Sequence, residues 1–409
     1  MSEQNVAHAS NPKLASRLTL GFSCVGHTYS HLFAPTFFVV ALTLETELGM
    51  THGEVISLIV LGNMLYGLAA PFSGWLGDKW SAAGMMALYY FGLGTGMILT
   101  GLADSTFQMV VFLSFTGIFG SIYHPVGFAW LVSQVEKRGQ ALGINGVFGA
   151  VGPSIAALSA GLLTDAFSWR AAFIVPGVLI VLTGFVFLFL LKKGTIHDRE
   201  TVPVAPHQAS RSEMMRVIGV LAITMLCTGL IYQSTSPALP KVFSERLIDF
   251  AGDGVFGIGA MVALVYMTAG MFQIIAGRMC DRYPLKRVYL LAFISQIPFL
   301  ILASQFGGGI LLLAALVMVS SNQAALPVEN TLVARYAPKD KRALAFGLKF
   351  IIAFGFSGIG VWLEGAIYDA TGGLHWLFIM LAAIATVGFT ISWLLPNDPA
   401  QNPQPQPAE

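Results

Sequence analysis

Three histidines, a glutamate and a lysine stand inside long apolar runs, where an ionisable side chain is expensive and defaults to a functional reading. His27 and His31 fall one helical turn apart, with Cys24 just before them and Thr28 and Ser30 alongside. Imidazole titrates near pH 6.5 when unperturbed, so these rings suit proton transfer or substrate binding. The plainer reading is a pair of neutral histidines bonded to neighbouring helices. One helix rarely completes the four ligands of a metal site, so no metal is expected at Cys24, His27 and His31. His124 precedes Pro125, which frees a carbonyl and kinks a helix, as cavity-lining helices often are; functional and structural roles are both open. Glu329 and Lys349 belong to consecutive apolar runs of opposite direction and can meet at one depth. Either Glu329 carries a coupling proton, or Lys349 holds an anionic substrate, or the two form a static ion pair.

Weaker polar candidates for a cavity lining are Tyr29, Asn63, Asn145, Tyr232, Gln233 and Asn322. Tyr232 and Gln233 open the stretch Tyr232-Gln-Ser-Thr-Ser-Pro237, followed by Pro240. Two prolines among hydroxyls predict a broken helix at a cavity, unless the hydroxyls only repair bonds that proline leaves open. Glycine runs such as Gly143 to Gly152 read as close helix packing, not phosphate cradling. There is no nucleotide-binding loop, nucleophile motif or nucleic-acid patch, so neither an enzyme nor a cofactor is expected.

The elements that carry these residues follow from composition. Of 409 residues, 55% are hydrophobic and 11% charged, with mean hydropathy +0.72. Soluble domains carry roughly a quarter charged residues, so the surrounding solvent must be lipid. Twelve apolar runs of spanning length are expected: near Leu18–Leu42, Val55–Leu76, Gly84–Leu102, Met109–Val132, Ala141–Leu163 and Ala171–Leu191, then Met214–Leu239, Val255–Ala276, Val288–Ala303, Ile310–Val333, Ala343–Ala366 and Leu374–Leu395. The fold class is thus an all-α membrane protein. A polar segment 1–17, a six-helix half 18–191, a linker 192–212, a second half 213–395 and a disordered proline-rich tail 396–409 divide the chain. No small-residue cleavage site follows the polar start, so the first apolar run reads as a retained helix. Cys24, Cys227 and Cys280 are isolated and suggest no disulfide framework.

With the N-terminus inside, eighteen lysines and arginines face the cytoplasm and only Arg170, Lys241 and Arg246 face out. Both termini and the linker are therefore expected on the cytoplasmic side. The two halves repeat each other. Gly74, Asp78 and Lys79 recur as Gly277, Asp281 and Arg282, offset by 203 positions. Pro125 matches Pro327, Arg138-x-x-Ala-x-Gly143 matches Arg342-x-x-Ala-x-Gly347, Gly161-x-x-x-Asp165 matches Gly365-x-x-x-Asp369, and Tyr29 matches Tyr232. Under that alignment Glu329 and Lys349 replace Gly127 and Asn145, so the charged pair is a specialisation of the second half. Two homologous six-helix halves suit a transporter that rocks one against the other.

These motifs resemble the major facilitator superfamily over essentially Leu18 to Leu395. The family's signature between its second and third helices is met by Gly74, Asp78 and Lys79, although Ser81-Ala82-Ala83 stands where further basic residues usually follow. The resemblance implies a conformational role for this motif and its second copy. A closer similarity is to the fosmidomycin-resistance-type branch, carried by His124-Pro125, Arg138-Gly139, Gly152-Pro153 and Trp169-Arg170; Val126 replaces that branch's glutamate. Gly152-Pro153 with Ala156-Ala157 is a degraded form of a motif associated with proton-driven exporters. The resemblance implies alternating access in a bacterial cytoplasmic (inner) membrane by a monomer, with the bilayer, protons and a small-molecule substrate as partners. Proton-coupled efflux of a small organic compound is the leading expectation. Proton-coupled uptake of a small organic acid is the alternative, and a non-transporting sensor or scaffold is a third.

Overall fold

The structure, a computed structural model, describes residues 12–135, 138–198, 211–247, 252, 254–336 and 347–397. Among these, every regular element is helical. Eleven helices are long and apolar enough to cross a membrane, and a pair bent by 41° makes a twelfth span. The first half comprises the first span Lys13–Leu48, the second His52–Leu68 with Ala70–Lys79, the third Ala82–Gly101, the fourth Thr106–Gln134, the fifth Gln140–Ala166 and the sixth Trp169–Lys192. The second half comprises the seventh Ser212–Arg246, the eighth Val255–Arg282, the ninth Leu285–Gln305, the tenth Gly308–Tyr336, the eleventh Gly347–Thr371 and the twelfth His375–Ser392. Residues 199–210 of the expected linker, the tail from 398, the segment 1–11, and Arg342 with Ala345 of the repeat lie outside the described residues.

Alternation of direction puts Lys79, Lys192, Arg282 and Tyr336 at one end of the bundle, here termed the linker end, and Leu48, Arg246 and Thr371 at the far end. Lipid cannot hydrogen-bond a backbone, so each span must satisfy itself as helix. Local signals set where the helices begin. Thr51 accepts from the Glu54 amide while Glu54 accepts from the Thr51 amide, a capping box that starts the second span. Ser81 and Ser105 cap the third and fourth. Large apolar side chains such as Phe189, 64% exposed, face outward on the sixth span, as a lipid solvent allows.

Proline decides where helices become irregular, in the fourth span as the sequence predicts and in the first where it does not. The first span is interrupted at His31 and Leu32, between Pro12–Ser30 and Phe33–Leu48. Pro35 cannot donate to the His31 carbonyl, and its ring crowds that carbonyl. The seventh span, expected to be broken, instead runs as helix through Pro237 and Pro240 over Arg211–Arg246. There Thr235 donates its hydroxyl to the Ile231 carbonyl at 2.7 Å, whereas the carbonyls that the two prolines leave without an amide donor are those of Gln233 and Ser236; the helix absorbs both without a break. In the fourth span Pro125 lies in a π-helical turn, Tyr123–Gly127; the eleventh contains a second, Ile351–Gly355.

The halves meet where the fifth span packs on the eighth and the second on the eleventh. The second–eleventh contact is made by glycine at two levels. Toward the far end, a Cβ on Gly365 would lie 2.7 Å from the Gly53 Cα. Toward the linker end, a Cβ on Gly67 would lie 2.8 Å from the Phe350 carbonyl oxygen and would collide with the Gly355 backbone. Any side chain at these positions would force the backbones apart.

Candidate functional site between the two halves

The sequence places His27 and His31 on one helix and His124 on another without relating them; the fold brings all three together. Their ring centroids lie 5.2 to 5.4 Å apart, and one nitrogen from each lies within 4.8 Å of the other two. His27 Nδ1 is 2.9 Å from the Asn145 carbonyl oxygen, and its ring lies flat against the fifth span because Gly149 has no side chain there. His124 Nδ1 is 3.1 Å from the Tyr66 hydroxyl, which itself donates to the Ser30 carbonyl at 3.2 Å. Tyr123 stacks on His27, and Phe350 and Phe354 from the other half face His124. The two π turns therefore confront each other across the boundary between halves.

His31 also borders a central cavity of about 30 Å³, shared by Asn63 and Tyr66 of the first half and Tyr232, Gln233 and Phe354 of the second. That volume suits one or two waters, whereas small organic ligands occupy roughly 300 Å³ or more. In this conformation the cavity is too small for a substrate-sized molecule. Asn63 and Gln233 are 4% and 2% exposed, and the Asn63 Nδ2 and Gln233 Nε2 amides have no hydrogen-bond partner. Unsatisfied buried donors each carry a penalty of about 1–3 kcal/mol, which a ligand offering acceptors would relieve.

The other expected lining residues lie elsewhere. Tyr29 pairs with Thr183 at 3.1 Å inside the first half. Asn145 donates to the Ser23 and Tyr123 hydroxyls. Asn322 donates to the Thr228 carbonyl and Gln296, near Glu329 rather than at the cavity.

Glu329 and Lys349 meet within the second half, Nζ to Oε2 at 3.2 Å, with 1% and 5% of each side chain exposed. The better-aligned donor bond of Lys349 goes to Asn330 Oδ1 at 2.6 Å. The other carboxylate oxygen of Glu329 accepts from Thr228 at 2.7 Å and Tyr289 at 3.1 Å. One carboxylate oxygen is thus held by two neutral donors, while buried Oε2 faces the Lys349 ammonium with no hydrogen bond of its own.

A second ionic group, not singled out from the sequence, joins the halves at the far end. His52 of the second span lies between Glu45 of the first, 2.7 Å from Nδ1, and Glu364 of the eleventh, 2.9 Å from Nε2. Both ring nitrogens face carboxylate oxygens, the arrangement of an imidazolium between two carboxylates. Lys241 of the seventh span adds 2.6 Å to Glu45, and Asp369 accepts from Thr51 and the Gly53 amide at 2.6 and 3.0 Å. Glu245 bonds Tyr368 beside them. The usable signal was positional: acids and a histidine at span ends, of which His52 and Glu364 align with Val255 and Ala160 in the other half of the repeat.

The paired motif residues Gly74, Asp78, Lys79 and Gly277, Asp281, Arg282 lie at the linker end, where a Cβ on Gly74 would stand 3.1 Å from Pro125. Asp78 and Asp281 occupy the last turns of their helices, not first turns, so the dipole of their own helix opposes the acid there. Both are exposed, and among the described residues neither has an ion-pair partner.

The sequence model described as Major Facilitator Superfamily matches residues 24–254 and 221–409. Among curated proteins, the multidrug resistance protein MdtG of Escherichia coli (strain K12 / DH10B) is 26% identical over 371 residues, covering 87% of this chain and 86% of that one. Among solved structures, a bacterial homologue of the human lysosomal transporter Spinster in an inward-facing, unoccupied conformation superposes with a TM-score of 0.66 at 14% identity, covering 93% and 95% of the two chains. The occupied inward-facing form of such a homologue gives 0.67 at 13% identity, with 93% and 94% covered.

Proposed function

The chain belongs to the major facilitator superfamily, and from that premise we propose that it exports a small, drug-like organic molecule in exchange for protons by alternating access. It is a multi-pass membrane transporter and not an enzyme. The halves 18–191 and 213–395 are the two moving bodies in this reading, working as a monomer in a bacterial cytoplasmic membrane with both termini and the 192–212 linker inside. The motifs at His124-Pro125, Arg138-Gly139 and Gly152-Pro153 support a place in the fosmidomycin-resistance-type branch.

One observation carries the reading: two orphaned amide donors, Asn63 and Gln233, one from each half, border the same cavity. A ligand seated there bonds both bodies at once, so its binding is coupled to their relative movement. Glu329 supplies the coupling carboxylate, with Lys349 as the cation that balances it when ionised. That balance also weighs against organic-acid uptake, because the Lys349 charge is already matched within its own half. A relative named for multidrug resistance supports export.

The test is flux in vesicles under an imposed pH gradient, with drug-like amines, neutral drugs and small carboxylates assayed in both directions. Drug movement opposite to the proton gradient is expected. Carboxylate movement along with protons would replace this reading with uptake, and binding without flux would favour a sensor. A double substitution, Asn63→Leu with Gln233→Leu, is expected to raise the apparent KM by tenfold or more, at about 1.4 kcal/mol per tenfold. The same change removes two unsatisfied donors and should raise the thermal midpoint of the empty protein. A lower midpoint together with an unchanged KM would show that these amides only pack.

A further inference from the structure

The hydrogen bonds around the three histidines determine where their ring protons lie. The Asn145 carbonyl can only accept, so His27 Nδ1 must carry a proton to bond it at 2.9 Å. The Tyr66 hydroxyl has one proton, given to the Ser30 carbonyl, so it accepts from His124 Nδ1, which must be protonated too. In the neutral form of both rings Nε2 is then the nitrogen with a free electron pair. The His31 ring has no hydrogen-bond partner among the described residues and can offer either nitrogen. One nitrogen from each imidazole thus lies within 4.8 Å of the other two, and Nδ1 of His27 and of His124 is anchored by a backbone carbonyl and a tyrosine. Anchoring of one ring nitrogen is the arrangement by which metal-ligating histidines are held in one tautomer and made more basic.

We infer that His27, His31 and His124 form a binding site for a borderline transition-metal cation of the Zn²⁺ type. The single first helix that argued against a metal site is completed from the fourth span, a juxtaposition the sequence does not contain. Tetrahedral Zn²⁺ with bonds of about 2.0–2.1 Å needs nitrogens roughly 3.3–3.4 Å apart, so the rings must draw in by up to about 1.5 Å from the separation here. In their neutral form the ligands offer a deprotonated nitrogen, so binding then requires no proton release. Three protein ligands leave a fourth position open. His31 borders the cavity as well as the cluster, which places that position beside the space assigned to the transported molecule. No carboxylate is among the three ligands, so the complex keeps its double positive charge and favours an anionic or strongly donating fourth ligand. In that last respect the inference rests on the transport reading; the metal site itself does not.

The experiment uses the full chain, purified through a histidine-free tag into lipid nanodiscs, stripped with chelator and titrated with Co²⁺. One Co²⁺ per chain is expected, with visible bands of four-coordinate intensity that one equivalent of Zn²⁺ bleaches. His31→Gln and His124→Gln should each abolish those bands. Tyr66→Phe, which removes the partner of His124 Nδ1 and keeps all three ligands, should weaken binding by about 10–100-fold. His375→Gln, whose ring faces the Ser304 carbonyl near the far end, should leave them unchanged. Folded wild type that binds no Co²⁺ stoichiometrically, or binding that persists in the His31 and His124 variants, overturns the inference. Drug flux without metal binding would remove the metal alone, whereas metal binding without any flux would remove the transport reading and leave this site standing.

Discussion

Replacing Glu329 by glutamine is expected to reduce proton-driven flux to the level of protein-free vesicles while leaving substrate exchange without a gradient within a few-fold of wild type. Glutamine keeps the shape and can still accept from Thr228 and Tyr289, but it can neither carry the proton nor balance Lys349. The companion substitution, Lys349→Met, has a different signature. It leaves a carboxylate that is 1% exposed with neutral donors only, and breaking a buried pair from one side costs about 3–5 kcal/mol. The thermal midpoint should fall sharply in Lys349→Met and recover much of the loss in the double variant, where neither charge remains. Exchange and driven flux measured side by side decide the matter. If Glu329→Gln retains driven flux, or loses exchange in equal proportion, the pair is a static bridge.

The second large effect lies at the far end. His52, Glu45, Lys241 and Glu364 are contributed by both halves, so this network can exist only while that end is closed. Glu364 is fully buried. Glu364→Ala leaves the His52 imidazolium with one carboxylate in a closed, dry setting, whereas in the open state water would solvate it. A penalty of about 3–5 kcal/mol on the closed state alone shifts the balance toward the open state by roughly 10² to 10³·⁵-fold. A cysteine introduced at Ala34 on the cavity wall reports the change. The native cysteines are buried, so background labelling is low. An impermeant maleimide added from the far side should label Ala34→Cys much faster in Glu364→Ala than in its parent. Equal rates would mean that the network does not hold this end shut.

What the sequence made legible follows from repetition and length. The twelve spans were readable because a lipid-spanning helix needs a long apolar run, and Glu329 with Lys349 because the first half shows glycine and asparagine in their places. Convergence of the three histidines was not readable, since nothing in either run tells which face of the first span meets which face of the fourth. Tyr29, Asn145 and Asn322 missed the cavity for a related reason. A helix that is apolar all round carries no stripe to orient it, so polar residues serve equally well as bonds between helices. The far-end network escaped notice because Glu45 and Glu364 are 319 positions apart and each resembles an ordinary charge flanking a loop. Proline marked the irregular turn at Pro125 but not the break at Pro35, while Pro237 and Pro240 are carried inside a continuous helix.

The two π turns, Tyr123–Gly127 and Ile351–Gly355, each hold one residue more per turn than the helix around them. If such a turn relaxes to ordinary α-helix, the surplus residue passes along the chain and everything beyond it swivels by about 100°, one residue's worth of a 3.6-residue turn. A swivel in the fourth span would sweep the His124 imidazole away from His27 and His31. One in the eleventh would carry Phe354 off the cavity wall and prise Gly355 from Gly67. The molecule therefore has, on both sides of its midline, a built-in stock of slack. Emptying it could dismantle the histidine cluster and unzip the linker end in the same stroke, with no need to bend a span.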